Sequence, residues 1–387
     1  MYNKIPDIKS SIKQLLSIPS ISCTSPEIDQ GNLHVINLLA EWFHGIGFYC
    51  EIQAIENHKN KANLIATLGS GNNGLVLAGH TDTVPCDDMR WQVEPFNLTE
   101  KDNRFYGLGS CDMKSFFAVI IAALKQLDTK KFQQPLIVLA TADEETSMAG
   151  AKAISKQASQ LGINNARYAV VGEPTDMQPV HMHKGMMMEA IQLTGQAGHS
   201  SNPALGNNAL EAMHKVINEL MAWRDELQSK YHNPMFEVPV PTMNFGHIHG
   251  GDNPNRICGS CELQIDIRPL PGMKISDLRH EMQRRLKHVL INTGIALNTV
   301  PLFDGVDAMA TDKHSALVKL AEKMTRSESQ AVAFGTEAPY YNALGLETIV
   351  MGPGSIKQAH QPDEYIEIKA LNPAVDIIRQ LIVHYCY

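Results

Sequence analysis

No stretch of this chain approaches the roughly 20 consecutive apolar residues that a bilayer crossing needs, although 44% of its 387 residues are hydrophobic. The opening, Met1 to Leu16, alternates charged and aliphatic residues instead of presenting the apolar core of a secretory signal. Basic blocks are missing as well. A formal net charge of −8 without clustered Lys or Arg argues against nucleic acid or an anionic membrane as partner, because those surfaces need concentrated positive charge. Cysteine is sparse: Cys23, Cys50, Cys86, Cys111, Cys258, Cys261 and Cys386 are scattered and odd in number, so they form no disulfide framework and fit a reducing compartment. Internal repeats and low-complexity tracts are absent, which excludes solenoids and flexible linkers. A cytoplasmic protein acting on a small molecule is the expectation that remains.

What the chain does contain is alternating helix and strand patterning, enough for two domains. Ile8, Ile12, Leu15 and Leu16, then Leu33, Ile36, Leu39, Ala40 and Phe43, recur at helical spacing, and the segment from Phe116 to Leu127 repeats that signal. From about His183 to Thr299 the order changes to strand, helix, strand, strand, helix, strand, which is the split-βαβ or ferredoxin-like arrangement. From Leu317 onward the α/β pattern resumes. The predicted fold class is therefore α/β, with a catalytic domain over residues 1–182 and 300–387 interrupted by an inserted ferredoxin-like domain over 183–299.

Five side chains stand just past apolar runs: His80 after Leu75–Ala78, Asp112 at the start of a core helix, Glu145 after Leu136–Ala140, Glu173 after Tyr168–Val171, and His360 beyond Ile349–Met351. Open α/β sheets keep their ligands at such strand ends, and mixed imidazole and carboxylate donors suit zinc. A hydrolytic pair of ions about 3.5–4 Å apart needs a bridging carboxylate, and Asp112 is the natural bridge, with Glu173 and His80 on one side and Glu145 and His360 on the other. Asp82, in the His-x-Asp pair, is placed to hold the imidazole of His80 or to pack beneath it. Glu144 is left over as a carboxylate that can carry a proton. Taken singly, each acid is an ordinary loop residue or helix cap; the joint occurrence points to a metal hydrolase.

The runs GHTDTVP (Gly79–Pro85), GLGSCDMK (Gly107–Lys114), ATADEE (Ala140–Glu145), GEPT (Gly172–Thr175), GQAGHSS (Gly195–Ser201) and GPGSIKQAHQPDEY (Gly352–Tyr365) resemble those of the di-zinc aminoacylase and carboxypeptidase family. The likeness extends in order over essentially the whole chain. It implies a zinc-peptidase-like catalytic domain and an inserted lid that also dimerises. It implies two Zn2+ per subunit, with Co2+ able to substitute, held by His80, Asp112, Glu145, Glu173 and His360. It further implies Asp82 as the partner of His80, Glu144 as general base, and an N-acyl amino acid as substrate. The long run from His247 to Gly272 and the run TEAP (Thr336–Pro339) narrow the likeness to a deacetylase branch. Alternatives are another N-acyl amino acid or a dipeptide as substrate, or a relative that binds without catalysing. Leu108 and Ser115 stand where the wider family commonly has Arg and Gly.

The resemblance also implies that Asn255 and Arg268 hold the substrate carboxylate, for which an Arg fork is suited; the plain reading of Arg268 is a surface residue pairing with a neighbouring acid. It implies too that His199 reaches from one subunit of a homodimer into its partner's site. For a substrate ending in an ammonium, Glu337 is the expected carboxylate, and a helix-start acid is the plain alternative. An inserted sheet with unpaired edges offers a two-fold partner strand hydrogen bonds. Cys258 and Cys261 form a lone Cys-x-x-Cys read as structural, Met186, Met187 and Met188 read as strand core, and GSGNNG (Gly69–Gly74) reads as a hairpin turn.

Overall fold

A computed structural model describes residues 5–58, 60–86 and 89–387; residues 1–4 of the opening stretch fall outside these. The chain divides into two compact units. The first comprises the chain up to His181 with Thr311–Gln330 and Thr336–Tyr387, and the second comprises Met182–Ala310 with Ala331–Gly335. The return to the first unit thus comes at Thr311 rather than at 300, and a short later segment belongs with the second unit. The expected boundaries followed the last strand-like pattern, whereas contacts follow packing.

The first unit is built on a sheet in which Leu136–Thr141, Gly74–His80, Ala166–Pro174 and Glu347–Gly352 lie side by side and parallel. Both Gly74–His80 and Leu136–Thr141 are buried along their whole length, which is why they read as continuous apolar runs and not as alternating ones. Ala62–Leu68 and then Tyr49–Ala54 extend the sheet antiparallel at one edge. Leu136–Thr141 lies between Ala62–Leu68 and Gly74–His80, so Gly69–Gly74 is not a hairpin turn. It crosses over the intervening strand, and the Gln134 side chain accepts from the amides of Asn72 and Asn73 at 3.1 and 3.2 Å. Sequence proximity suggested a pairing that the inserted strand pre-empts.

Helix Leu33–Ile46 buries Val35, Ile36, Leu39, Trp42, Phe43 and Ile46 and stops at Gly47, whose φ of 111° provides the left-handed cap. Helix Lys114–Leu124 differs from its amphipathic expectation. Nearly every residue in it is buried, including Lys114, whose ammonium donates to the carbonyls of Ile18 at 2.8 Å and Leu15 at 3.4 Å. Neighbouring helices Ile8–Leu16 and Ile368–Cys386 pack against it and cover the face that a surface helix would leave polar.

In the second unit Met187–Thr194, Thr242–Gly250, Ser260–Arg268 and Ala296–Pro301 form one antiparallel sheet, with helices Ala209–Lys230 and Ile275–Val289 between them in sequence. Numbered along the chain, the strands stand in the order 2-3-1-4, the split-βαβ arrangement. Leu263, Ile265 and Ile267 face the helices while Glu262, Gln264 and Asp266 alternate outward, half-buried. The third of these strands begins at Ser260, and the segment before it is irregular apart from one bridge between His199 and Arg256.

Candidate metal centre

His80 ends strand Gly74–His80 with its side chain 1% exposed. Its Nδ1 lies 2.9 Å from the backbone carbonyl of Asp82, a contact in which the ring nitrogen donates and Nε2 is turned toward the carboxylates. Here the structure refines the role of Asp82. The carbonyl fixes the ring, while the Asp82 carboxylate sits 3.7 Å from Nδ1 and accepts from the amides of Glu144 at 3.2 Å and Glu145 at 3.1 Å. One residue therefore orients both the histidine and the following acidic loop.

His80 Nε2 lies 3.0 Å from Asp112 Oδ1 and 3.7 Å from Glu173 Oε1. His360 Nε2 lies 3.0 Å from Glu145 Oε2 and 3.6 Å from Asp112 Oδ2. Asp112 thus presents one oxygen to each histidine. The ligand atoms of His80, Asp112 and Glu145, and those of His80, Glu144 and Glu173, fall within 4.8 Å of one another, so the five residues singled out from sequence converge together with Glu144.

Burial works against charge on His80, yet Glu173 and Asp112 outweigh it and hold its pKa well above the usual range. Burial first, then the carboxylates of Asp112 and its neighbours, pushes Glu173 well above the carboxylate range; burial first, with Glu145 and Asp82 next, does the same to Glu144. His360 is raised to about 9, chiefly by its hydrogen bond to Glu145. The bare chain keeps protons where a cation would neutralise the same carboxylates. Glu173 Oε1 is also buried without a hydrogen-bond partner among the described residues, and such an orphaned oxygen fits a ligand to a cation. The donor set accordingly suits divalent metal.

Three supports escaped the sequence reading. Glu364, 1% exposed, accepts from the amides of Gly109, Cys111 and Asp112 at 3.2, 2.7 and 3.0 Å and so shapes the loop that aims Asp112; burial and then Asp112 push its pKa to about 8. Lys61 joins Asp143 and Asp29 at 2.7 Å each, bracing the turn before Glu144, where Asp143 adopts a φ of 59°. Thr141, at the end of its strand, donates to Glu337 at 2.7 Å. Glu364 follows His360 by four residues in the run Gly352–Tyr365, and only its burial separates it from an ordinary loop acid.

Glu337 is placed otherwise than expected. It is 1% exposed, its other oxygen accepts from the Tyr341 hydroxyl at 2.9 Å, and burial raises its pKa. The carboxylate is buried with each oxygen accepting from a hydroxyl group, so it stands as a tie between Thr141 and Tyr341. Nor does its side chain cap the helix that follows it.

In the second unit, Arg268 pairs with Asp266 two residues away at 3.0 Å, the plain arrangement weighed for it. Asn255 lies in an exposed turn with its amide donating to Asn253 at 3.2 Å. His199 is exposed, and its Nδ1 accepts from the amide of Ser201 at 3.2 Å. Cys258 and Cys261 are both buried free thiols, and no helix among the described residues is long and apolar enough to cross a membrane.

Residues 76–384 match Peptidase family M20/M25/M40. The chain is 48% identical over 387 residues to an acetylornithine deacetylase of Pectobacterium carotovorum subsp. carotovorum (strain PC1), covering 100% of both chains. It is 47% identical over 386 residues to an acetylornithine deacetylase of Proteus mirabilis (strain HI4320), covering 100% of this chain and 98% of the other. Among solved structures, an M20 family metallo-carboxypeptidase from Sulfolobus solfataricus superposes with a TM-score of 0.77 at 20% identity, covering 98% of this chain and 99% of that one. A dinuclear metal-binding M20 peptidase from Bacillus subtilis does so with a TM-score of 0.67 at 14% identity, covering 97% of each chain. These two show a shared fold.

Proposed function

Because the chain belongs to Peptidase family M20/M25/M40, we propose that it is an amidohydrolase that deacetylates N2-acetyl-L-ornithine, releasing L-ornithine and acetate in arginine biosynthesis in the cytoplasm. The observation that carries this reading is the full-length identity of 48% to an acetylornithine deacetylase in a chain that holds His80, Asp112, Glu145, Glu173 and His360 close together. Two Zn2+, or Co2+ in their place, would be held by these five, with Asp112 between them. Such ions supply Lewis acidity and bring the pKa of a water toward ~7.

The remaining steps belong to side chains of the protein. Glu144, beside the metal-binding side chains without being assigned to either ion, accepts the proton of the attacking water and returns it to the departing α-amine. Asp82 holds His80 and the backbone amides of Glu144 and Glu145, so neither glutamate has to reorganise during the transfer. Arg268 and Asn255 receive the substrate carboxylate, for which the guanidinium donors of Arg268 beyond the Nε held by Asp266 are suited. His199 donates to the oxyanion, supplied by the second subunit of a homodimer formed through the edge of the four-stranded sheet.

Glu144→Gln tests the reading. It keeps the shell of metal-binding side chains and removes the proton carrier, so turnover of acetylornithine should fall by ~10²–10⁴ with metal content unchanged. Retention of more than a tenth of wild-type turnover would remove Glu144 from the role of base.

A further inference from the structure

The outer face of the second unit's sheet carries a cluster outside the centre described above. On strand Thr242–Gly250, His247 and His249 are two residues apart and project to the same side, with ring centroids 5.2 Å apart. They follow a bulge between Phe245 and His247, and the register then sets His249 opposite Glu262 and His247 opposite Gln264. One ligand atom from each of His247, His249 and Glu262 falls within 4.8 Å of the other two. Both histidines are exposed and Glu262 is half-buried.

What separates this cluster from a chance pair of surface histidines is the way its carboxylate is held. Gln192 donates to Glu262 Oε2 at 2.8 Å and Gln264 to Oε1 at 2.9 Å. Asn298 Nδ2 in turn donates to Gln192 Oε1 at 2.9 Å. A row of amides on three strands thus orients the acid, as outer partners do around metal ligands, and each oxygen keeps a lone pair free.

We infer that His247, His249 and Glu262 form a second metal site, one that takes a single first-row divalent ion such as Zn2+ with water completing the shell. Two imidazoles and a carboxylate suit zinc. Ligand atoms in tetrahedral zinc lie about 3.3–3.6 Å apart, so closure from the observed spacing needs only side-chain rotation. An ion there ties the outer strand to its neighbour just past the bulge, where pairing is interrupted.

The test is the Zn2+ content of full-length protein stripped by chelator and equilibrated at a fixed micromolar free Zn2+. Wild type should hold one equivalent more than His249→Ala, and Glu262→Gln should weaken binding of that equivalent by ~10–100-fold. His80→Ala combined with Asp112→Asn, which disables the other centre, should retain it, so the result stands apart from the proposed deacetylase chemistry. Equal Zn2+ content in wild type and His249→Ala overturns the site. So does a loss on His249→Ala that Glu262→Gln does not share, because that marks an adventitious histidine pair only.

Discussion

Glu337 and Glu364 show how burial assigns different work to chemically identical side chains. Glu364 accepts from three amides of one loop, those of Gly109, Cys111 and Asp112, and shapes the approach of Asp112, whereas Glu337 ties Thr141 to Tyr341. If Glu337 is a tie, Glu337→Gln should lower turnover of acetylornithine and acetylmethionine by the same factor, since it disturbs the end of a strand and not the side-chain pocket. A selective loss on acetylornithine, measured as kcat/KM on one preparation, would restore the ammonium-binding role. Succinyl-diaminopimelate in the same panel checks the acyl preference and should be the poorest of the three substrates.

Strand Ala166–Pro174 delivers Glu173, and its position depends on close approach to helix Lys114–Leu124. A Cβ on Gly172 would lie 2.1 Å from Cδ1 of Phe116, and one on Gly352 would lie 2.0 Å from the Gly172 carbonyl. Neither neighbour is the free end of a flexible chain. Gly172→Ala should therefore cost ~1–3 kcal/mol as an overpacking change, read as a lowered urea midpoint at unchanged m-value, and should weaken metal binding because Glu173 moves with the strand. An unchanged midpoint would mean that Phe116 has room to turn aside.

The whole molecule couples these elements to pH. Folding raises Glu364 from 4.5 to about 8, Asp82 from 3.8 to about 6 and His360 from 6.5 to about 9. Each group binds its proton more tightly when folded, so its contribution is complete below the unfolded value and is lost as pH rises through the folded one. Metal-free protein should lose stability between about pH 4 and about pH 9. Metal-loaded protein should resist that loss, because the same deprotonation frees its ligands. Urea midpoints of stripped and loaded protein across that range check the sign, and a stripped protein that gains stability with pH would refute it. For the proposed dimer, His199→Ala should reduce turnover by ~10²–10³ without changing metal content. Mixing it with Glu144→Gln distinguishes donation between subunits, since one site of a heterodimer would then carry neither defect. Activity should return on exchange, and proven exchange without recovery would confine His199 to its own chain.

Much of this was legible in sequence because the deciding signals are local. Continuous apolar runs marked the buried parallel strands, helical spacing marked Leu33–Ile46, and polar residues immediately beyond the strands marked the candidate centre, since a strand end carries the next residue to the sheet's ligand-binding margin. The order of elements likewise marked the split-βαβ unit. Tertiary structure alone decided what depends on distant neighbours: that Leu136–Thr141 enters between two strands adjacent in sequence, that Lys114 is buried on a helix covered from both sides, and that the Asp82 carbonyl and carboxylate serve different partners. The amide row behind Glu262 was beyond sequence for the same reason. Its members come from three strands brought into register by pairing, and hydrogen bonding of that kind leaves no period in the chain.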